Sequence, residues 1–322
     1  MNEFALIDRF FRRATHDPAV RIGVGDDAAV VAPTPGCELV VSVDMLVEGR
    51  HFLPGVDPVT LGHKTLAVNL SDMAAMGATP RWALLAGALP DDDEHWLAGF
   101  ARGFFALADR YDVALIGGDT TRGPRNLCAT IVGEVPAGMA ITRAGAAIND
   151  DIYVSGTLGD AALGLAVLQR RVALGAGNFP EGRVRLEMPE PRVALGLQLR
   201  GVASAAIDVS DGLTGDLQHI LNASRVGAVI DLALIPRASA MEPLLAGAQR
   251  EVVLQCLLAG GDDYELCFTA GPPARAAIPA IARAAGVAIT PIGRITAAPT
   301  LVVRDESGLP MPALPRAFDH FA

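Results

Sequence analysis

Strand-like and helix-like segments alternate along almost the whole chain, and this order restricts the fold more than any other feature. The run "ELVVSVD" (38–44) has the period-two pattern of a strand, and "DPVTLGHKTLAVNLSDMAAMGA" (57–78) has the period and end signals of a helix. The same order restarts at "DIYVSG" (151–156), with a helix from about residue 160. We predict a mixed α/β (α+β) fold in two domains, each a mixed sheet flanked by helices.

The segment "PAGMAITRAGAAIND" (136–150) separates the two predicted domains. It is rich in small and turn-forming residues and only weakly periodic. A chain of 322 residues is long enough for about two domains. We therefore predict an N-terminal domain over 1–137 and a C-terminal domain over 148–322.

Composition limits the partners and the compartment that fit this chain. Its formal net charge of −10 disfavours nucleic acid, and an acidic protein that binds phosphates needs metal ions as bridges. The first 18 residues lack the apolar core and cleavage site of a signal peptide, and no run of 18 apolar residues predicts a membrane span. The four cysteines form no C-x-x-C pair, which favours buried thiols in a cytoplasmic protein.

Aspartates recur beside glycines where predicted strands end. They are Asp26, Asp27, Asp44, Asp119, Asp208, Asp211, Asp262 and Asp263, and Asp72 adds one from a helix. A single aspartate of this kind is usually a turn or capping residue. Several carboxylates that converge at strand ends repel one another by about 4 kcal/mol per pair at 4 Å, and a hard divalent cation relieves that repulsion. The set therefore predicts a magnesium-assisted phosphate site.

The first of these turns, "GVGDDAAV" (23–30), matches the G-x-G-x-x-A fingerprint of a dinucleotide-binding turn. That fingerprint requires a helix after the turn, whereas the following "AVVAPTP" has β-branched residues and two prolines. We interpret the loop as a metal site, with Asp27 as the direct ligand and Asp26 as the residue that orients the turn.

The residues alone leave other functions open. Neither a Walker A motif, a pair of kinase H-R-D and D-F-G motifs, nor an EF-hand loop is present in the sequence. A non-catalytic protein that binds divalent metal and an α/β protein with ordinary capped turns both remain possible. His51 follows an acidic strand end, and its spacing fits a surface histidine as well as a ligand contact.

Eight segments, taken together and in order, resemble the thiamine-monophosphate kinase family. They run from residue 23 to residue 321 and are "GVGDDAAV", "SVDMLVEGRHF", "NLSDMAAMGATP", "LIGGDTTRG", "TRAGA", "DVSDGL", "GGDDYELCF" and "AFDHF". The resemblance implies a homodimer with the fold of the aminoimidazole ribonucleotide synthetase-like superfamily. It implies that ATP phosphorylates thiamine monophosphate to thiamine diphosphate, the last step of thiamine diphosphate biosynthesis, by direct in-line transfer with several magnesium ions.

The resemblance also implies roles for the domains and for single residues. The N-terminal domain would bind ATP and metal and form the dimer, and the C-terminal domain would complete the active-site cleft. The implied metal ligands are Asp27, Ser42, Val43 through its backbone, Asp44, Asp72, Asp119, Asp208 and Asp211. The implied nucleotide contacts are Gly118, Asp119, Arg143 and Ser210, and the implied substrate contacts are His51, Asp262 and Phe318.

The implied chemistry needs no protein acid, base or nucleophile, since Asp72 and Asp119 would act through metal. Three residues depart from the family pattern. Val43 stands where threonine is frequent, Asp262 where glutamate also occurs, and Phe318 where tyrosine or tryptophan is common. The alternatives are another ATP-using enzyme of the same superfamily and a non-catalytic protein that binds divalent metal.

Overall fold

The computed structural model describes residues 2–174 and 179–317, and these fall into two compact units. The first unit contains Met1–Met73 and Ala78–Met139, and the second contains Ala74–Gly77 and Ala140–Ala322. Within the described ranges, no helix is both long and apolar enough to span a bilayer.

The first unit is a four-stranded sheet with helices and a small hairpin. Its elements are α1 (Glu3–Phe10), β1 (Val20–Ile22), β2 (Val30–Val31), β3 (Cys37–Val47), α2 (Pro58–Ala75), β4 (Thr79–Leu89), α3 (Glu94–Arg110), β5 (Ala114–Arg122) and β6 (Asn126–Pro136). The strand order is β3-β6-β4-β5, in which only the β4–β5 pair is parallel. A strand, β2, follows the "GVGDDAA" turn, so the prediction that this turn does not open a helix is confirmed.

Helix α2 has the ends that the sequence predicts. The side chain of Asp57 accepts a 2.9 Å hydrogen bond from the backbone N–H of Val59, and Gly77 takes the left-handed φ of +63° just after the helix. The helix packs closely on α3 through glycines. A Cβ atom on Gly62 would overlap a backbone carbonyl of α3, and one on Gly103 would overlap a backbone carbonyl of α2.

Strand β3 has two different faces, as its alternation predicts. Ser42 and Asp44 lie on the face whose cross-strand partners, Ile131 and Ala129, are fully buried. The other face of β3 is open and apolar. Its four side chains are 47–61% exposed and belong to Leu39, Val41, Val43 and Met45.

The second unit is a six-stranded sheet with helices. Its elements are β7 (Asp151–Ser155), α4 (Asp160–Leu168), α5 (Pro180–Glu187), α6 (Val193–Leu199), β8 (Ala205–Asp208), α7 (Leu213–Ser224), β9 (Gly227–Asp231), α8 (Glu242–Leu245), α9 (Arg250–Ala259), β10 (Leu266–Ala270), α10 (Ile278–Ala285), β11 (Ile289–Thr296) and β12 (Leu301–Arg304). The strand order is β12-β9-β11-β7-β10-β8, in which only the β12–β9 pair is parallel.

One strand-like run of the second unit forms a strand over only part of its length. The run "AVIDLALI" (228–235) stops being a strand at Asp231 and continues as a 3-10 turn over Leu232–Leu234. Strand β11 pairs with β9 only from Gly293 onward, after a bulge, so its ladder ends opposite Ile230. Without a partner on that side, the chain leaves the sheet.

The ends of three strands meet at one edge of the six-stranded sheet. Asp208, the last residue of β8, pairs with Leu266, the first residue of β10. The N–H of Leu266 in turn donates to the hydroxyl of Ser155, the last residue of β7. The loops that carry the acidic motifs of the second unit therefore begin side by side.

Candidate functional site

In the first unit, the sequence-predicted residues form two groups. The first group surrounds a cavity of about 630 Å³, a size typical of small-molecule sites. Asp27, Gly118 and Asp119 line it together with aromatic side chains that include Phe11 and Trp96. Asp27 and Asp119 are exposed, so both carboxylates are available to a ligand. The cavity thus combines acidic groups with an apolar wall.

Gly118 leaves the backbone of β5 bare beside this cavity. A Cβ atom at Gly118 would overlap the carbonyl oxygen of Leu85 on β4, whereas one at Gly117 would meet only a leucine side chain at 3.6 Å. Only glycine therefore fits at position 118 without opening the β4–β5 ladder.

Sequence reasoning missed Arg12, which lines the same cavity. Its guanidinium packs on Gly25 so closely that a Cβ atom there would overlap it, and Gly25 has a φ of +118°. Arg12 also pairs at 3.1 Å with Asp8, which lies on α1. The guanidinium thus lies against the "GVGDD" turn, and nothing in the run "FRRAT" (11–15) identifies which arginine does so.

The second group lies where β3 contacts α2. The Ser42 hydroxyl donates a 2.5 Å hydrogen bond to Asp72 Oδ2, and Asp44 lies on the same face of β3 as Ser42. Val43 points its side chain to the open face, so only its backbone is available to this group. The structure therefore brings Ser42 and Asp72 into direct contact, thirty residues apart in sequence.

His51 follows β3 in a loop that is tied to the same elements. Its Nδ1 accepts a 3.0 Å hydrogen bond from the N–H of Val47, which leaves the proton of a neutral imidazole on Nε2. The carbonyl of His51 accepts a 3.2 Å bond from Lys64 Nζ on α2. The ring orientation is therefore fixed by the end of β3.

Asp44 and Asp119 lie far apart within one chain. They occupy β3 and β5, the two edges of the sheet, with β6 and β4 between them. Cross-strand pairing runs from Asp44 through Ala129 and Leu85 to Gly118, one residue before Asp119, so the two carboxylates lie on opposite faces. Three strand spacings of about 4.8 Å separate them by about 14 Å along the sheet. One chain therefore does not offer both carboxylates to the same ion.

The third group, in the second unit, lies at the sheet edge formed by β7, β8 and β10. Asp208 ends β8, and Ser210 and Asp211 follow in the turn before α7. Asp216 organises that turn, because its Oδ2 accepts the backbone N–H groups of Asp211 and Gly212, each at 3.0 Å. Burial, together with the charges of Asp208 and Asp211, raises the pKa of Asp216 to about 7.

Asp262 lies next to this turn. Its N–H donates a 2.9 Å hydrogen bond to the carbonyl of Ser210, and its φ of +69° is unusual for a residue with a side chain. Tyr264, which has a φ of +50°, donates its N–H to the Val209 carbonyl and its hydroxyl to Asp262 Oδ1 at 3.3 Å. The structure thus brings Ser210, Asp211 and Asp262 together.

A further predicted residue, Arg143, belongs to none of these groups. Arg143 has an exposed side chain in the loop before β7, and its carbonyl accepts a bond from Ser224. None of the ion pairs within 2–174 and 179–317 includes its guanidinium. Phe318 lies outside the described residues.

A buried cluster of charges beside the third group was also missed. Glu265 is fully buried and pairs with both Arg185 and Arg192. Burial favours the neutral acid, but the two guanidinium groups outweigh it and lower the pKa of Glu265. The sequence gives no signal for this pairing, because the arginines lie about 75 residues before their partner.

The described residues contain no cluster of three or more His, Cys, Asp or Glu side chains arranged to hold a metal ion. The three groups nevertheless fit magnesium, because their donors are all oxygen atoms. Magnesium uses one or two carboxylates and completes its shell with waters and substrate phosphates. Asp27 with Asp119, Ser42 with Asp72, and Asp208 with Asp211 are suitable donor sets.

Comparison with known proteins matches this arrangement to one family. The models for the N-terminal and C-terminal domains of AIR synthase related proteins match residues 25–135 and 147–306. The thiamine-monophosphate kinase of Escherichia coli (strain K12) is 45% identical over 322 residues, which covers 99% of this chain and 98% of that protein. The chain belongs to the thiamine-monophosphate kinase family. The family resemblance predicted from its eight segments is confirmed.

Solved structures of the thiamine-monophosphate kinase family share this fold. The enzyme from Stenotrophomonas maltophilia K279a matches with a TM-score of 0.85 at 47% identity, over 94% of this chain and 96% of that chain. AaThiL complexed with AMPPCP and TMP matches with a TM-score of 0.78 at 28% identity, over 92% of each chain. The predicted mixed α/β fold of the aminoimidazole ribonucleotide synthetase-like superfamily is confirmed.

Proposed function

We propose that this protein phosphorylates thiamine monophosphate with ATP and yields thiamine diphosphate and ADP. The observation that carries the proposal is the cavity that Asp27, Asp119 and the backbone of Gly118 line together. Such a backbone lets phosphate groups approach, and the two carboxylates need a cation when they do. The family membership and the complex of AaThiL with AMPPCP and TMP support the same reaction.

Each group of residues has a distinct part in the proposed reaction. Asp27 and Asp119, Ser42 and Asp72, and Asp208 and Asp211 would hold magnesium ions. Bound magnesium would neutralise the charge of the two phosphates and so reduce their repulsion. The exposed guanidinium of Arg143 would add a fixed cation for the nucleotide, and His51 and Asp262 would contact the thiamine part.

We propose direct in-line transfer without a phosphoenzyme. A phosphate oxygen of thiamine monophosphate is already an anion near neutral pH, so the attack requires no general base. His51, the one histidine assigned to the site, has its Nδ1 occupied by the N–H of Val47. Incubation with ATP alone is expected to leave no stoichiometric phosphoprotein, and detection of one by intact-mass spectrometry would contradict direct transfer.

We further propose that the protein is a homodimer built on the open face of the first unit. Four adjacent apolar side chains of β3 are about half exposed there, which is unusual for a solvent-facing strand. If two such faces meet, with β3 of one copy beside β5 of the other, the eight strands close into a barrel and the apolar residues are covered. The same arrangement would place Asp44 of the partner subunit one strand away from Asp119, whereas β6 and β4 separate the two residues within one chain.

A shared site of this kind is tested by complementation. Asp44→Asn and Asp119→Asn are each expected to be nearly inactive. When they are co-expressed, half of the dimers are mixed, and each has one intact site out of two, so about a quarter of wild-type activity should return. Mixtures that stay as inactive as the single variants would contradict a site shared between copies.

The reaction itself is tested by ADP release with thiamine monophosphate, thiamine and aminoimidazole precursors as alternative acceptors. We expect release only with thiamine monophosphate and magnesium. Asp72→Asn should lower turnover severely and leave the fold intact, because Asn keeps the hydrogen bond to Ser42 but loses the charge. Release with an aminoimidazole precursor would favour another superfamily enzyme, and an absence of ATP binding in calorimetry would favour a non-catalytic protein.

We place the reaction in the cytoplasm, which supplies ATP and keeps the four free cysteines reduced.

A further inference from the structure

The loop over residues 260–265 turns two neighbouring carboxylates in different directions. Asp262 is partly exposed at the sheet edge that carries Asp208 and Asp211, whereas Asp263 is only 2% exposed. The residues on both sides of Asp263 have positive φ values, +69° at Asp262 and +50° at Tyr264. Two such residues in one short loop are costly, so the surrounding structure must hold them in place.

The Asp263 carboxylate is the buried anchor of this loop. Its Oδ2 accepts a 2.8 Å hydrogen bond from the N–H of Gly159, at the start of α4. Gly159 is itself fixed, because its φ is +78° and a Cβ atom there would lie 2.9 Å from the backbone of α9. The bond therefore joins the loop to a rigid point of the second unit.

The other oxygen of the Asp263 carboxylate, Oδ1, is buried and has no hydrogen-bond partner. A bare anion in that position would be very unfavourable. Burial raises the pKa of Asp263 well above its ordinary value, and the neighbouring charges of Asp160 and Glu265 act in the same direction. Burial and the unpartnered Oδ1 therefore favour the neutral carboxyl, which still accepts the Gly159 N–H through Oδ2.

We propose that Asp263 is a positioning residue that holds Asp262 against the thiamine substrate by fixing the left-handed turn of the loop to the Gly159 amide. The inference rests on the proposed function, in which Asp262 contacts thiamine monophosphate. The anchoring requires an acceptor oxygen on a short side chain but no charge. Asn supplies that oxygen, and Leu fills a similar volume without it.

The test compares Asp263→Asn with Asp263→Leu at saturating concentrations of the second substrate. Asp263→Leu is expected to raise KM for thiamine monophosphate by at least about tenfold, since a displacement of about 1 Å can reduce rates by about a hundredfold. KM for ATP should rise less than KM for thiamine monophosphate, because only one of the implied nucleotide contacts, Ser210, lies against the loop, and Gly118 and Asp119 belong to the first unit. Both KM values of Asp263→Asn should stay within about threefold of the wild-type values.

Asp151→Asn is the matched control, because Asp151 is also a buried carboxylate of the second unit. It lies at the opposite end of β7 and pairs with Arg275. Loss of the Asp151 charge should lower the stability of the second unit and leave KM unchanged for both thiamine monophosphate and ATP. Equal KM values for thiamine monophosphate in Asp263→Leu and Asp263→Asn would overturn the inference.

Hydrogen exchange separates this inference from the proposed function. The amides of Asp262 and Tyr264 should exchange slowly in wild type and in Asp263→Asn and fast in Asp263→Leu, with β10 unchanged. Unchanged exchange in Asp263→Leu would refute the anchoring even if wild type phosphorylates thiamine monophosphate. Wild-type protein that releases no ADP with thiamine monophosphate would refute the proposed function, whatever the exchange shows.

Discussion

Asp263→Asn is expected to change how the stability of the second unit depends on pH. In the unfolded chain, the Asp263 carboxyl ionises near its ordinary pKa of 3.8, whereas in the folded protein burial keeps it protonated to a much higher pH. Between those two pKa values the folded state binds one more proton than the unfolded state. The free energy of unfolding must therefore fall as the pH rises.

The groups that face Asp263 from neighbouring elements do not reverse the direction of this pH dependence. The N–H of Gly159 and the guanidinium of Arg185 on α5 lower the pKa of Asp263, and Asp160 and Glu265 raise it. Burial is the largest of these influences and favours the neutral acid. Glu265, whose pKa is lowered, loses its contribution only as the pH falls below the unfolded value of 4.5 and through the lower folded pKa, so it adds no slope above that value.

The magnitude follows from the linkage between proton binding and folding. In this range, each pH unit lowers the free energy of unfolding of wild type by about 1.4 kcal/mol relative to a variant in which residue 263 does not titrate. Over about 1.5 pH units that lie between the unfolded and the folded pKa, wild type should therefore lose about 2 kcal/mol of unfolding free energy relative to Asp263→Asn. That difference is about thirtyfold in the equilibrium constant for opening the second unit.

The assay must report on the second unit alone. Both tryptophans, Trp82 and Trp96, lie in the first unit, so fluorescence does not serve. Hydrogen exchange of peptides from β7 and β10, compared between the two proteins at each pH, cancels the intrinsic pH dependence of exchange. Asp151→Asn should show no such slope over this range, because Arg275 lowers the pKa of Asp151. Parallel protection curves for wild type and Asp263→Asn would refute a buried, protonated Asp263.

Three further substitutions test packing that the structure shows directly. Gly118→Ala should open the β4–β5 ladder and raise KM for ATP at least about tenfold, whereas Gly117→Ala should be tolerated. Equal effects of the two variants in the ADP-release assay would contradict the close approach of Gly118 to the Leu85 carbonyl. Gly62→Ala should destabilise the first unit by about 1–3 kcal/mol, measured by urea unfolding followed by tryptophan fluorescence, although alanine favours helix by about 1 kcal/mol. A stabilised variant would show that α2 and α3 separate easily. Asp17→Asn should destabilise the first unit at pH 7, because the Asp17 carboxylate accepts hydrogen bonds from Arg81 and from the indole of Trp82. Burial raises the pKa of Asp17, but these bonds outweigh burial and lower it. The loss of stability should therefore disappear as the pH falls below about 4. A loss independent of pH would exclude a role for the charge of Asp17.

Local patterns in the sequence predict the elements of this fold well. Asp57 and Gly77 define the ends of α2 because capping and left-handed turns depend on single residues. The period-two pattern of β3 places Ser42 and Val43 on opposite faces, as the structure confirms.

Contacts between distant segments were not predictable in the same way. The strand order β3-β6-β4-β5 decides that Asp44 and Asp119 lie on opposite edges, and no local pattern specifies that order. Arg12 contacts Gly25, and Glu265 pairs with two arginines, because of tertiary packing that leaves no mark in the neighbouring residues. The predicted roles of the metal and substrate residues remain predictions until the variants are assayed.

The two-faced character of β3 makes its register the most sensitive parameter of the first unit. Successive residues of a strand point to opposite faces, so a shift by one position exchanges every side chain between them. Inserting a single residue before Leu39 would turn Ser42 and Asp44 outward and place Val41 and Val43 against α2. An insertion or deletion of one residue in this strand would thus disrupt the acidic group and the apolar surface in one event.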